Sequence, residues 1–503
     1  MAKTASPKAS NQKESSKSRT PALAAAGKKG KPEGKARPGA RKRRRTGAGI
    51  ETRPVLEPNA AGIDIGAREV YVAVPPDRDE QPVRVFDTFT ADLQELANWL
   101  KACGITTVAM ESTGVYWIPV YEMLEAQGIR ACVVNARHMK NVPGRRTDWQ
   151  ECQWIQFLHA VGLLRAAFRP EAEVCALRAV MRHRGELVQM AATHVQHMHK
   201  ALTQMNLQIQ HVITDLTGVT GLAIVDAILE GERDPSRLAE LRDARVKASP
   251  ETIEKSLAGH WQPEHLFTLK QSRRLYANYQ HEIDESDAEI ERLVGNFSPR
   301  VDPEVKPLPV DQKKNRNYDK KRKKRDRRQP GARSFDLRAE VYKLFGVDIT
   351  QIPGLEFLAL QLFSEVGRDM FRWATAARFV SWLALCPDND ISGGRVLWRG
   401  RRPVHNRAGQ LFRMAAYSLD RSPTPLGAYL RRMKAKLGPK AAHTATAHKI
   451  AVIFYTMIKN QTEYDQTLWE KQDTQRLQRH TASLKRQAKR LGYKLTPIEE
   501  EAA

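Results

Sequence analysis

The apolar and polar positions of the chain change rhythm three times. Residues 1–57 have no period: Lys, Ser, Pro, Gly and Ala follow one another with no face to bury, which predicts a disordered basic tail. From AAGIDIGAREVYVAVPP onward, short apolar runs broken by glycine predict strand, turn, strand. ADLQELANWLKAC (91–103) predicts a helix, TTVAMES (106–112) a strand, PVYEMLEAQG a helix and RACVVN (130–135) a strand. Strands alternating with helices predict an α/β domain with a partly parallel sheet over residues 58–170.

From residue 171 the period lengthens. Positions 177, 181, 184, 188, 191, 195, 198, 202, 205, 209 and 212 read Leu, Met, Arg, Val, Ala, Val, Met, Leu, Met, Ile, Val. A single polar residue in eleven places spaced four and three apart predicts a long coiled-coil helix. A second such run, at 269, 272, 276, 279, 283, 286, 290, 293 and 297, reads Leu, Ser, Tyr, Tyr, Ile, Ser, Ile, Leu, Phe. Two long helices either close into an antiparallel hairpin within one chain or pair between chains, and the pattern leaves both open. The helical region is assigned to 171–310. TGVTGLAIVDAILEGERDP (217–235) and QIPGLEFLALQLFSEVG (351–367) each read as a glycine turn entering an apolar helix, a pattern like helix-hairpin-helix elements, whose helix-terminal amides suit phosphate. A basic linker (311–344), a last compact domain (345–463) and a helical, charged tail (464–503) complete the chain.

Composition changes this picture through charge. The net charge is +25. Residues 1–50 hold fifteen Lys/Arg and two Glu, and KKNRNYDKKRKKRDRR (313–328) holds eleven Lys/Arg and two Asp. These runs account for +13 and +9 and leave +3 for the remainder. A nearly neutral body with two basic runs predicts sequence-independent attraction to nucleic acid phosphates. No apolar run approaches ~18 residues, so no membrane-spanning helix is expected. Five cysteines without a CxxC pair predict free thiols in a reducing compartment, the cytoplasm, and no structural zinc.

Four carboxylates carry candidate chemistry. Asp64 interrupts the apolar GIDIG strand, where a carboxylate needs a partner, although a turn-capping Asp is the alternative. Glu111 ends the TTVAME strand, where open α/β sheets bind ligands. Asp148 and Glu151 are three apart and share a helix face, though Thr147 or Asp148 is equally placed to cap that helix. Together the four are suited to hold two Mg²⁺, which clamp the attacking and leaving oxygens of a phosphodiester. Arg145 and Arg146, in the NVPGRR turn just before them, are placed to hold phosphates.

A second constellation lies in CPDNDISGGRVLWRGRRPVHNRAGQLFRMAAYSL (386–419). Ser392 precedes two glycines, and Arg395, Arg399, Arg401, Arg402, Arg407 and Arg413 crowd the segment. A serine on a Gly-rich turn among guanidinium groups is able to attack a phosphate, while the arginines stabilise the developing charge. The alternative is ordinary turn chemistry in a DNA-binding loop. His405 is a candidate proton carrier, with a phosphate or surface contact as the favoured alternative. His194, His197 and His199 fall on the long helix and are expected to be structural or solvent-facing rather than a metal site.

GIDIG, MESTGVYWIPVYEML, VNARHMKNVPGRRTDWQECQWIQ, LTQMNLQIQHVITDLTGVTGLAIVDAILEGERDP and IPGLEFLALQLFSEVG…SWLALCPDNDISGG…NRAGQLFRMAAYSL occur in that order. Together they resemble the DEDD-type transposases of the insertion-sequence-110 family, over most of residues 58–460. The resemblance implies an α/β RuvC-like (RNase H fold) domain, then a long helical coiled coil, then a mainly α-helical C-terminal transposase domain. It implies metal on Asp64, Glu111, Asp148 and Glu151, the last standing where the family usually has aspartate. It implies Ser392 as a nucleophile that links transiently to DNA. Donor and target DNA, a structured noncoding guide RNA and a dimer or tetramer built through the coiled coil are the implied partners, with no membrane.

Overall fold

The computed structural model describes residues 54–112, 114–135, 147–310, 336–401, 406–465, 467–494 and 496. The tail expected at 1–57 lies almost wholly outside this range, as does the basic run at 313–328. The described chain forms two compact units, divided between Ala167 and Phe168.

The first unit is a mixed α/β sheet. Its elements are β1 (Ala60–Ile65), β2 (Glu69–Ala73), β3 (Val83–Asp87), α1 (Thr90–Ala102), β4 (Thr107–Glu111), α2 (Trp117–Ala126), β5 (Arg130–Val134) and α3 (Asp148–Ala160). The strand order is β3-β2-β1-β4-β5, antiparallel across β3-β2-β1 and parallel across β1-β4-β5. Strand β3 was not predicted; PVRVFD is short, and its pairing along β2 makes it a strand.

Side chains alternate along a strand, so each face of the sheet takes every second residue. Ile63, Ile65, Val70, Val72, Val108, Met110 and Val133 are buried with Leu93, Leu96 and Leu100 of α1 and Val120 and Leu124 of α2. The other face carries Gly62, Asp64, Ala109 and Val134. Here α3 packs, burying Cys152 with Ala73 and Val83, and Ile155 with Ala109 and Val134.

The second unit is mostly helical. It begins with α4 (Ala172–Gln204), α5 (Val219–Glu230), α6 (Pro235–Glu240), α7 (Pro250–Leu257) and α8 (Pro263–Gly295). It continues with α9 (Leu337–Phe345), α10 (Ala359–Val366), α11 (Ala376–Trp382), β6 (Pro387–Ser392), β7 (Arg395–Arg401), α12 (Arg407–Ser418), α13 (Pro425–Leu437), α14 (Pro439–Asn460) and α15 (Thr467–Arg490).

Helices α4 and α8 pair antiparallel within the one chain. Arg184 on α4 forms a bidentate pair with Asp287 on α8 at 2.6 and 2.8 Å, and His194 stacks on Tyr279 at 5.4 Å. The heptad departs from expectation in two places. Val188 is 41% exposed while its neighbour Leu187 is buried, and α4 stops at Gln204, where Asn206 takes φ +56°. Met205, Leu207 and Ile209 continue the apolar pattern as core residues beyond the helix, in one cluster with residues of α5, α7 and α8. The Pro-Gly turn at 353–354 does not lead straight into a helix either. Gly354 turns at φ +91°, and α10 opens at Ala359.

Candidate functional site

The acidic cluster of the first unit is built from the sheet outward. Gly62 is the seat of α3: a Cβ there would run into the backbone nitrogen of Gln156 and the carbonyl of Cys152. Only glycine lets the helix lie this close to β1. The far end of α3 is then pinned. The Gln156 amide donates to the Ala60 carbonyl at 3.1 Å. The backbone nitrogens of Leu56 and Glu57 donate to the Ala160 carbonyl at 2.8 and 3.0 Å. His159 Nε2 lies 2.9 Å from Thr107 Oγ1, whose own proton goes to the Arg130 carbonyl at 3.2 Å. Burial lowers the imidazole pKa of His159.

With its C-terminal end anchored at the start of β1, α3 carries its first turn back to the C-terminal end of that strand. Thr147 caps the helix, its hydroxyl accepting from the Gln150 amide at 3.4 Å. Asp148 is thereby spared the capping role and sits in the first turn with Glu151. In the sheet, Ile63 stands opposite Met110 in the parallel ladder. The next step of that register puts Asp64 beside Glu111 on the α3 face.

Electrostatics reports the same convergence. The half-buried Asp64 carboxyl is pushed up to about 6, first by burial and then by the negative charges of Glu151, Asp148 and Glu111. The neighbouring Cys152 thiol is pushed up to about 12, chiefly by burial, which holds it as the neutral thiol. Three carboxylates around a fourth, half-buried one are a charge distribution that a cation completes. As placed, no three of the His, Cys, Asp and Glu side chains among the described residues stand close enough to ligate one ion. Arg145 and Arg146 lie outside the described residues.

Tyr71 was not foreseen. It stands opposite Asp64 in the antiparallel ladder. Its hydroxyl donates to Glu69 at 2.8 Å, and that bond, with burial and the acidic field, raises the phenol pKa. Nothing local in EVY links it to Asp64; only the β1–β2 register does.

In the second unit, Ser392 ends a strand instead of sitting in a loose turn. β6 and β7 form a hairpin closed by Gly393 and Gly394 at φ +55° and +77°. Positive φ at both central residues is the turn whose twist matches a two-residue hairpin, and glycine adopts it without strain. The sequence pattern saw the glycines but not the strands. Ser392 is the last ladder residue of β6, exposed, and its cross-strand partner is Arg395, also exposed. Arg399 and Arg401 belong to β7, while Arg407 and Arg413 lie on α12, outside the hairpin. Arg402 and His405 lie outside the described residues. His194 packs between Tyr279 and His197, a structural position as expected, and its pKa is lowered by burial and then by His197.

Two family models match the chain. A DEDD-type transposase model of the IS110 group, described as "Transposase", covers residues 61–207. A second, described as "Transposase IS116/IS110/IS902 family", covers residues 348–429. The first spans the sheet, α3 and α4 with all four carboxylates; the second spans the hairpin and Ser392. Comparison with curated proteins gave no match. The two matches support a DNA-processing enzyme, and the DEDD match suggests a divalent metal in its active site. No helix among the described residues is long and apolar enough to cross a membrane.

Proposed function

This chain is an IS110-type transposase, and from that premise we propose that it cuts and rejoins donor and target DNA through a covalent serine intermediate. The first unit acts as a RuvC-like (RNase H fold) nuclease domain. Its strand order, three antiparallel strands continued by two parallel ones, supports that assignment. Residues 171–310 act as the coiled-coil region, 345–463 as the serine-bearing domain and 464–503 as its helical tail. The coiled coil assembles the protein into a dimer or tetramer, and a noncoding RNA from the element selects both DNA sites.

The observation that carries this reading is the convergence of Glu111, Asp148 and Glu151 on the half-buried Asp64 at the ends of β1 and β4. Those four residues would hold divalent ions, Mg²⁺ in the simplest case and two per site. Bound there, such ions supply Lewis-acid stabilisation of phosphoryl oxygens. The protein's own groups do the rest. Ser392 Oγ forms a bond to phosphorus as the bond to the leaving deoxyribose oxygen breaks. The serine hydroxyl gives up its proton, and the leaving oxygen takes one. The guanidinium of Arg395 meets the charge that grows on the phosphoryl oxygens. A phosphoserine ester keeps the energy of the original diester, so a DNA hydroxyl can reverse the attack and reseal the strand without ATP. Arg145, Arg146, Arg399, Arg401, Arg402 and Arg407 contribute phosphate-binding charge.

The test uses the full chain with the RNA encoded beside its gene, labelled donor and target DNA, and Mg²⁺. After denaturation in detergent, wild type is expected to carry DNA covalently, and Ser392→Ala and Asp148→Ala to carry none. Strand cleavage without an adduct, indifferent to Ser392→Ala, would reduce the protein to a metal-only nuclease. Binding with neither cleavage nor adduct would leave a nucleic acid scaffold.

A further inference from the structure

The hairpin that carries Ser392 has one residue more in β7 than its ladder uses. Ser392 pairs with Arg395 and Ile391 with Val396, but position 390 pairs with Trp398, so Leu397 is a bulge. Positions two apart on β6 share a face, so a residue opposite 390 lies on the face of Ser392. Without the bulge, Leu397 would stand opposite 390, and Trp398 would fall on the other face with Ile391 and Val396. The inserted residue thus turns Trp398 toward the serine side, about 7 Å back from the tip by strand rise. Bulges next to active sites often re-aim a side chain in this way.

The indole is also seated. A Cβ at Gly400, two residues on, would collide with the outer edge of the six-membered ring of Trp398, so that edge of the indole lies against the glycine. The side chain nevertheless remains 44% exposed, on a two-stranded hairpin that has no core of its own for it to fill. The strand around it, RVLWRGR, holds three arginines, and the paired strand PDNDIS holds two aspartates, one of them at the position opposite Trp398. A fixed, partly exposed aromatic ring in a basic strand is the physical description of a stacking platform for nucleobases.

We infer that Trp398 stacks on a nucleobase drawn out of the strand that Ser392 attacks, and so sets the adjacent phosphate in front of Oγ. This rests on the reading of Ser392 as the nucleophile. Trp398 is a positioning residue: it holds DNA and takes no part in bond making.

The experiment places 2-aminopurine singly at each position around the cleavage site and binds each DNA to the full-length protein–RNA complex. The Ser392→Ala background keeps the DNA intact, so the stacking signal does not depend on the chemistry. One position is expected to be quenched when residue 398 is Trp, to brighten in Trp398→Ala, and to stay quenched in Trp398→Phe. Gly400→Ala, which keeps the indole but removes its seat, is expected to brighten the same position. With Ser392 present, Trp398→Ala should slow adduct formation roughly tenfold to a hundredfold, the range expected for removing one base–aromatic stack, and Trp398→Phe should restore most of it. If no position responds to residue 398, or if Trp398→Ala forms adduct at the wild-type rate, the inference is overturned. Slower adduct formation with no position-specific signal would make the role structural and overturn it equally. An adduct that survives Ser392→Ala would sink the nucleophile assignment instead, a result read independently of the fluorescence.

Discussion

Asp64 shows what a single residue does in this fold. In an unfolded chain its carboxyl titrates near 3.8, and in the folded chain it titrates near 6. Between those values the folded state holds a proton that the unfolded state has released. Stability from this group is therefore present below about pH 4 and lost as pH rises through about 6. Asp64→Asn should then stabilise the protein at pH 7.5 in chelator, by roughly 1–2 kcal/mol once solvent screening of a half-buried group is allowed for, and hardly at all at pH 4. Urea unfolding of both proteins at the two pH values measures this directly. A divalent cation should reverse the order at pH 7.5, raising the Tm of wild type more than that of the variant. Equal Tm shifts in the two proteins would count against Asp64 as a ligand. That Asp64 needed explaining was legible in GIDIG, a carboxylate between isoleucines. Which groups surround it was not, because Glu111 and Asp148 reach it only through the parallel register and the seating of a helix.

Among the elements, α3 decides most. Its stripe of Cys152, Ile155 and His159 follows from helical spacing, but its placement follows from Gly62. Gly62→Val would push branched carbons into the α3 backbone, which has no flexible end to yield. We expect a loss of about 2–3 kcal/mol or more in chemical unfolding, with DNA cleavage falling further than stability alone explains, because Asp148 and Glu151 move off Asp64. A Gly62→Val protein that cleaves at the wild-type rate would mean that α3 does not position the acids. The α4–α8 pair teaches the complementary lesson. Its length was readable from heptads because each turn repeats the same demand for an apolar neighbour. Its pairing within one chain rests on cross-helix partners such as Arg184 with Asp287, far apart in sequence, and a largely buried bidentate pair of this kind fixes register more than it adds stability.

At the scale of the whole molecule, charge and core are segregated. The second unit holds two large cores strung along the same helix pair. One end of α4–α8 (Leu177, Met181, Ile290, Val294) is buried with α9, α10 and α14, and the other (Met198, Leu202, Leu269, Tyr276) with α5 and α7. The basic character lies instead in the runs at 1–50 and 313–328, which carry +13 and +9 of the total +25. Replacing 313–328 by an uncharged Gly/Ser segment should weaken nucleic acid binding without preference for sequence. It should also flatten the slope of log affinity against log salt by several units, about one for each phosphate that the run neutralises in the native protein. An unchanged slope would show that this run does not meet the backbone.

The chain by itself determined the alternation of strands and helices in the first unit, the two long helices of the second, and which carboxylates and which serine are candidates for chemistry. These are local properties: an element's period, its caps and a polar residue out of place are written within a few residues of one another. The tertiary structure alone decided that β3 joins the sheet, that α3 lies on Gly62 and brings its acids to Asp64, that Ser392 ends a strand, and that a bulge at Leu397 brings Trp398 to the serine's face. Each of those depends on a register between segments that local composition does not specify. A shift of one residue would send the same side chain to the opposite face, and local composition would stay the same.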